Sequence, residues 1–344
     1  MNTREVFNLS MCTESDYIGL IDREYETQNC IESILSREKM IVMGKRGVGK
    51  TSLIYKVRDE LIKYHSNIFP LYIQFSPMFI NRGHSNAYLT HLLYTVIHFI
   101  WKDIIGKDFS DIYNINNDNL FNGFENRIVK IHKLIRTAEF SEMVSSHKEM
   151  GVSAGLSGNL SKENGNDNKY YALTNQEIIN LLKEVCEHLV TYLGIETVVF
   201  LCDEANNLKE KQQIELEESL INIFDSMNCS FIYVSSLLET KKNDYFDLFE
   251  NSIVLEGFND KKYTKELISS RIRDNNLFKI DDESISIIHN TSEGNPRFII
   301  RILGLAIEEE SRQDVQYINI TPSKAAEACN KFIIGQMMQQ EISP

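Results

Sequence analysis

The sequence predicts an α/β protein, a three-layer sandwich on a mostly parallel sheet, with an inserted helical and loop segment and a C-terminal helical lid. Three observations predict it. Short apolar runs such as "MIVM" (Met40–Met43) and "VVFLC" (Val198–Cys202) end abruptly in glycine or acids, the pattern of strands buried on both faces. Long stretches of helical periodicity lie between and after them. A glycine loop, "GKRGVGKTS" (Gly44–Ser52), joins the first run to a helix.

In chain order, "REYETQNCIESILSRE" reads as a helix leading into the strand Met40–Met43, which Gly44 stops. After the loop, Leu53, Ile54, Val57, Leu61 and Ile62 form the stripe of a helix with one buried face. "PLYIQF" is the next strand. From Ser85 to Ile105 the apolar stripe Leu89, Leu92, Leu93, Val96, Ile97, Ile100, Trp101 and Ile104 predicts a long helix. His84, His91 and His98 recur on it every seven residues, a rise of about 10.5 Å, too far for two imidazoles to share one metal ion. They read as polar residues along the edge of the stripe.

Residues 145–171, "SSHKEMGVSAGLSGNLSKENGNDNKYY", are rich in Gly, Ser and Asn; the first half suits a hairpin and "KENGNDN" an exposed turn or loop. Helical pattern resumes at "NQEIINLLKEVCEHLVTYL". "TVVFLCDEANN", "FIYVSS" and "SIVLEGF" supply three further strands, and the remainder reads as helix after helix. The predicted division is an N-terminal segment 1–36, a core 37–258 with an insertion at about 80–171, and a lid 259–344.

The loop fits G-x-x-x-x-G-K-[ST] at Gly44, Gly49, Lys50 and Thr51, with a strand before it and a helix after. In such a loop the backbone N–H groups of Lys45, Arg46, Gly47, Val48 and Gly49 can turn toward phosphates, and the helix N-terminus at Lys50–Ser52 adds its positive dipole end. Lys50 reaches β and γ oxygens, and Thr51 offers a hydroxyl to Mg²⁺. Binding of a nucleoside triphosphate with Mg²⁺ follows.

Asp203 and Glu204 end a buried strand, where ligands bind in open α/β sheets. Asp203 is placed to hold the magnesium through water, and Glu204 to polarise an attacking water as general base. Ser235 and Ser236 end "FIYVSS", where a hydroxyl serves that water or the γ-phosphate; ordinary strand-end serines are the alternative. In "EGNPRF", Asn295 caps a helix, Pro296 suits its first position and Arg297 falls in the first turn. A cation there opposes the helix dipole, so a nearby anion, the γ-phosphate or an acid, would account for it.

Composition narrows the setting. With 36 Lys plus Arg against 49 Asp plus Glu, the formal charge of -13 opposes nonspecific attraction to nucleic acid. Six scattered cysteines, with no C-x-x-C pair, indicate a reducing compartment without disulfides. The N-terminus has no signal region, and the most apolar helix is interrupted by His91, His98, Lys102 and Asp103. The expectation is a cytoplasmic protein with no membrane span.

In order, "YIGLIDREYE", "GKRGVGKTS", "VVFLCDEAN", "FIYVSS", "SIVLEGF", "EGNPRFIIRIL" and "ITPSKAAEAC" resemble the AAA+-related STAND and archaeal-type ATPases. These are similar in turn to the ATPases of origin recognition and transposition control. The resemblance implies a P-loop NTPase fold and ATP hydrolysis. It makes Lys50 and Thr51 Walker A residues, Asp203 and Glu204 Walker B, Ser235 the sensor 1 position and Arg297 sensor 2, with Arg23, Tyr17 and Ile18 bordering the adenine.

The sequence departs from the pattern in three places. Asp22 stands where the usual glycine precedes the Arg-Glu pair. About 150 residues separate Thr51 from Asp203, more than the core needs. No arginine falls between Ser236 and Ile253, where a finger for a neighbouring subunit is common; Arg271 and Arg273 are the substitutes, or plain surface charges.

The leading expectation is an ATP-dependent switch acting on a separate effector protein. The resemblance allows a homo-oligomer and suggests antiphage defence as the setting. The rival is a DNA-associated ATPase, for which Lys45, Arg46, Lys56 and Arg58 form a basic cluster. A scaffold that binds nucleotide without hydrolysing it is the third reading.

Overall fold

The structure is a computed structural model that describes residues 20–74, 87–107, 123–135, 173–203, 229–235, 249–272, 277–311 and 317–342. The expectations for Tyr17, Ile18, His84, residues 145–171, Glu204, Ser236 and Arg273 lie outside the described residues.

Five strands form the main sheet: β1 (Lys39–Gly44), β2 (Ile68–Gln74), β3 (Thr197–Asp203), β4 (Ser230–Ser235) and β5 (Asn251–Leu255). Their order is β2-β3-β4-β1-β5. β1 runs parallel to both β4 and β5, with Met43 beside Ser235 and Gly44 beside Leu255. Parallel neighbours need a long crossover, which the helix after β1 begins. β3 and β4 are buried at every position, as continuous apolar runs demand. β5, at the edge, exposes alternate residues.

The chain divides into two compact units. One contains β1, the end of β3, β4, β5 and all that follows, together with two helices, α1 (Glu24–Leu35) and α2 (Lys50–Tyr64). Ser230 Oγ donates to Ile34 O at 3.0 Å, and Asn251 Nδ2 donates to Ser33 Oγ at 2.6 Å, fixing α1 to the sheet.

The other unit holds β2, the start of β3, α3 (Ala87–Phe99), a helical segment at 123–135 and α4 (Asn175–Leu193). Leu92, Leu93, Val96, Ile97, Ile100 and Trp101 are fully buried, as the predicted stripe requires; Ile100–Ile104 form a π-helical turn that ends this helix. α4 begins with a capping box, Thr174 and Glu177 each accepting from the other's backbone N–H.

After β5 come α5 (Lys261–Arg271), α6 (Asp282–Ser292), α7 (Pro296–Ser311) and α8 (Pro322–Ile342). This part was expected to be helical throughout, and it differs in one respect. β6 (Phe278–Ile280) and β7 (Ile318–Ile320) pair in parallel as a small separate sheet; runs of three residues are too short to show a period. Ile285, Ile288, Ile299, Leu303, Ile307 and Ile318 form the heart of this helical region's core.

Two glycines join the sheet to these helices. Phe258, just after β5, donates its N–H to Gly294 O at 2.9 Å in the α6–α7 turn. A Cβ on Gly294 would collide with the carbonyl oxygen of Phe258, and one on Gly257 with that of Glu293. Gly294 also holds φ at 66°, a left-handed value that costs other residues energy. Gly294→Ala should therefore lower stability by at least about 2 kcal/mol, read by urea denaturation; an unchanged midpoint would contradict the packing described.

Candidate functional site

The site is built where β1, β4 and β3 end. β4 lies between the other two, with Ser235 beside Met43 at the end of β1, and Asp203 is the last residue of β3. Asp203 and Ser235 are each 2% exposed. The loop passes into α2 at Gly49, whose φ of 101° places the helix N-cap in the left-handed region. Lys50, Thr51 and Ser52 then form the first turn of α2. Lys45 and Arg46 are exposed, while Val48 is buried.

Every carbonyl from Gly44 to Gly49 accepts a hydrogen bond from the protein. Lys50 Nζ donates to Gly44 O at 2.6 Å and to Lys45 O at 3.0 Å. Asn295 Nδ2 donates to Arg46 O at 3.0 Å. Arg297 N–H donates to Gly47 O at 3.3 Å. Arg23 Nη2 reaches Val48 O at 3.4 Å, and Leu53 N–H donates to Gly49 O at 3.0 Å. In a planar trans peptide the next N–H points opposite to the carbonyl. The N–H groups of Gly47, Val48 and Gly49 therefore point away from Asn295, Arg297 and Arg23.

Gly47 shows how tightly the loop meets α7. Its φ is 92°, and a Cβ there would lie 2.6 Å from Arg297 Cβ and 2.8 Å from Asn295 Oδ1. Asn295 uses both ends of its amide. Oδ1 caps α7 by accepting from Arg297 N–H at 3.1 Å, and Nδ2 holds the loop. The cap was legible in "GNPRF". The grip on Arg46 was not, because nothing in the local pattern says where the free amide end points.

Arg23 is 5% exposed, and both of its terminal nitrogens meet protein acceptors. Nη1 pairs with Glu26 Oε1 at 3.0 Å, and Nη2 donates to Glu256 O at 2.5 Å. Its guanidinium also lies 5.9 Å from the centre of the Phe258 ring. Asp22, the departure noted in the sequence, adopts a left-handed φ of 55°, the conformation a glycine takes freely.

Charge at the site is dominated by cations. Burial pushes the Lys50 amine down to about 8; Asp203 opposes that shift, and Arg297 and Arg46 add to it. A buried amine near two guanidiniums and one carboxylate gives a locally positive field, the field an anion needs. The candidate metal donors, Thr51 Oγ1 and the Asp203 carboxylate, are hard oxygens of the kind magnesium takes. Among the described residues no cluster of three or more His, Cys, Asp or Glu could hold a metal ion, and His98 on α3 is exposed.

A strand–loop–helix unit of this kind in a mostly parallel sheet is the α/β fold of the P-loop nucleoside triphosphatases. No protein-family profile matches the chain, and no curated protein sequence matches it. Among solved structures it is similar to the Aeropyrum pernix Orc1 protein in complex with DNA, at 13% identity and a TM-score of 0.49; the match covers 90% of this chain and 65% of that one, so the chain spans less than two thirds of the Orc1 chain's length. A chain of the E. coli MS115-1 HORMA:CdnC:Trip13 complex matches at 11% identity and a TM-score of 0.47, over 96% and 97% of the two chains. Domain III of the Thermotoga maritima replication initiation protein DnaA matches at 12% identity and a TM-score of 0.43, over 94% and 99%.

The lowered Lys50 pKa predicts a pH effect. Between about 8 in the folded chain and 10.5 in the unfolded one, the unfolded state binds the additional proton. Stability therefore rises as pH climbs through that window, by on the order of 3 kcal/mol from this group. Unfolding measured from pH 7.5 to 10.5 should show the rise in the wild type and a smaller one in Lys50→Met; parallel profiles would contradict the burial of this amine.

Proposed function

We propose that this chain binds ATP with magnesium at the phosphate loop, hydrolyses it, and uses the difference between nucleotide states to control a separate effector protein. One observation carries the reading: the loop's six carbonyls are all engaged by protein donors, and the charges of Asp203, Arg297 and Arg46 all act on the Lys50 amine. That arrangement leaves the loop's N–H side for phosphate oxygens.

In this reading Lys50 leaves the carbonyls of Gly44 and Lys45 and moves to the β and γ oxygens, whose negative charge favours its protonated form. Thr51 and Asp203 hold the magnesium, which supplies neutralisation of phosphate charge when bound. Glu204, next after Asp203, orients and deprotonates the attacking water, and the Ser235 hydroxyl steadies that water from the neighbouring strand end. Arg297, in the first turn of α7, meets the γ-phosphate. Tyr17 and Ile18 border the adenine, as the motif resemblance implies.

The switch follows from the same contacts. Asn295 and Arg297 belong to the helical region after β5, yet they hold the loop that would hold the triphosphate. A ligand that binds one arrangement of these groups better than another shifts their populations by that difference in affinity. The motif order supports membership of the STAND group, and antiphage defence as the setting.

The DNA-associated alternative rests on the basic cluster of Lys45, Arg46, Lys56 and Arg58, and all of these but Arg46 lie near an acid. Lys45 lies 3.6 Å from Glu293, Lys56 3.9 Å from Glu24, and Arg58 3.4 Å from Asp59. Exposed pairs of this kind contribute little to stability, but they offset the local positive field that a phosphate backbone would need. A several-fold rise in turnover on adding DNA at near-physiological salt would favour the alternative.

Two substitutions separate binding from chemistry. Lys50→Ala should weaken ATP binding at least about tenfold. Glu204→Gln should retain ATP while turnover falls by roughly a hundredfold or more. Fluorescent-nucleotide titration and a phosphate-release assay read the two effects. Turnover unchanged in Glu204→Gln would remove that residue from its role, and absence of nucleotide binding by the wild type would overturn the reading as a whole.

A further inference from the structure

We infer that Arg23 is a positioning residue that holds the phosphate loop to the junction between β5 and the helices after it, and does not read the nucleotide base. The inference rests on the nucleotide-binding reading above and assigns this side chain a different task from the adenine contact that the motif resemblance implies.

Three segments far apart in sequence meet on this one guanidinium. Glu26, on the first turn of α1, takes Nη1 at 3.0 Å. Nη2 is shared between Glu256 O at 2.5 Å, just beyond β5, and Val48 O at 3.4 Å, within the loop. The face of the cation lies over Phe258, the residue whose N–H is bonded to Gly294 O in the α6–α7 turn. With only 5% of the residue exposed, the guanidinium is enclosed by protein, and a base edge would have to displace a carbonyl to reach Nη2.

The shared Nη2 connects two places that the nucleotide reading requires to move together. Val48 O fixes the peptide that precedes Gly49 and so the direction of the Gly49 N–H, one of the loop's phosphate-facing donors. Glu256 O lies two residues before Phe258, at the entry to the helical region that supplies Asn295 and Arg297. A guanidinium spans these acceptors because its donors are fixed in one plane; a lysine ammonium, a single nitrogen on a flexible stem, cannot meet Glu26, Val48 and Glu256 together.

The two roles for Arg23 differ in which ligands feel its loss. A base contact affects ATP and leaves inorganic triphosphate untouched, whereas a loop-positioning residue affects every ligand that uses the loop's N–H groups. Binding of ATP, GTP and inorganic triphosphate, each with magnesium, should be measured for the wild type, Arg23→Gln and Arg23→Lys, with thermal melting to confirm folding. Arg23→Gln should weaken all three ligands by a common factor of roughly tenfold, with the ATP-to-GTP ratio unchanged. Arg23→Lys should restore only part of the loss.

Thr27→Val supplies the control for plain destabilisation. It removes the 2.6 Å bond from Thr27 Oγ1 to Arg23 O at the start of α1 without touching the guanidinium, so it should lower the melting temperature and leave triphosphate affinity in place. A loss confined to ATP in Arg23→Gln, or no loss for any ligand, would overturn the inference. If Arg23→Gln does not fold, Arg23→Lys carries the same three-ligand comparison. A wild type that binds ATP while the variants fail the pattern rejects the inference alone; a wild type that binds none of the three rejects the nucleotide reading, and this inference with it.

Discussion

The constraint on which the site depends is the backbone direction of residues 44–49. A loop that gathers N–H groups must dispose of its carbonyls, because a buried carbonyl without a donor costs about as much as a lost hydrogen bond. Here the donors come from Lys50 and Leu53 on α2, from Arg23 ahead of α1, and from Asn295 and Arg297 at the start of α7. The shape of the loop is thus set by residues as distant in sequence as Asn295 and Arg297, and a change in those residues is a change in the loop.

That dependence explains why glycines cluster at the join between sheet and helices. Gly47 admits α7 against the loop, and Gly257 and Gly294 let the backbone after β5 meet the α6–α7 turn with no side chain between them. Close backbone approach replaces side-chain packing here, and hydrogen bonds such as that from Phe258 N–H to Gly294 O hold the two segments together. The apolar core behind it, with Ile299, Leu303 and Ile307 on one face of α7, ties the first turn of that helix to the rest of the helical region.

Much of this was legible in the sequence. "MIVM", "VVFLC" and "FIYVSS" marked β1, β3 and β4 because a strand buried on both faces has no polar alternation to confuse it. The stripe from Leu89 to Trp101 marked α3 for the converse reason. The phosphate loop, Asp203 and Ser235 fall at neighbouring strand ends because the glycine and the polar residues that stop each run mark where it ends. Strand order, the β6–β7 pair and the helix at 123–135 were not legible: three-residue strands carry no period, and order depends on contacts between distant segments. The roles of Asn295 Nδ2 and the Arg23 guanidinium were hidden similarly, since a side chain's identity gives its donors without giving their directions. Arg23 was readable as a motif residue, but its acceptors at Val48 and Glu256 were not.

The hydrogen bonds from Asn295 and Arg297 to the glycine loop make that loop and the start of α7 one mechanical piece. Hydrogen exchange of the backbone amides, with and without ATP and magnesium, tests it most directly. The account predicts that nucleotide slows exchange in Gly47–Thr51 and, together with it, in Arg297–Ile300 at the start of α7. Slowed exchange confined to the loop, with the α7 amides unchanged, would contradict it.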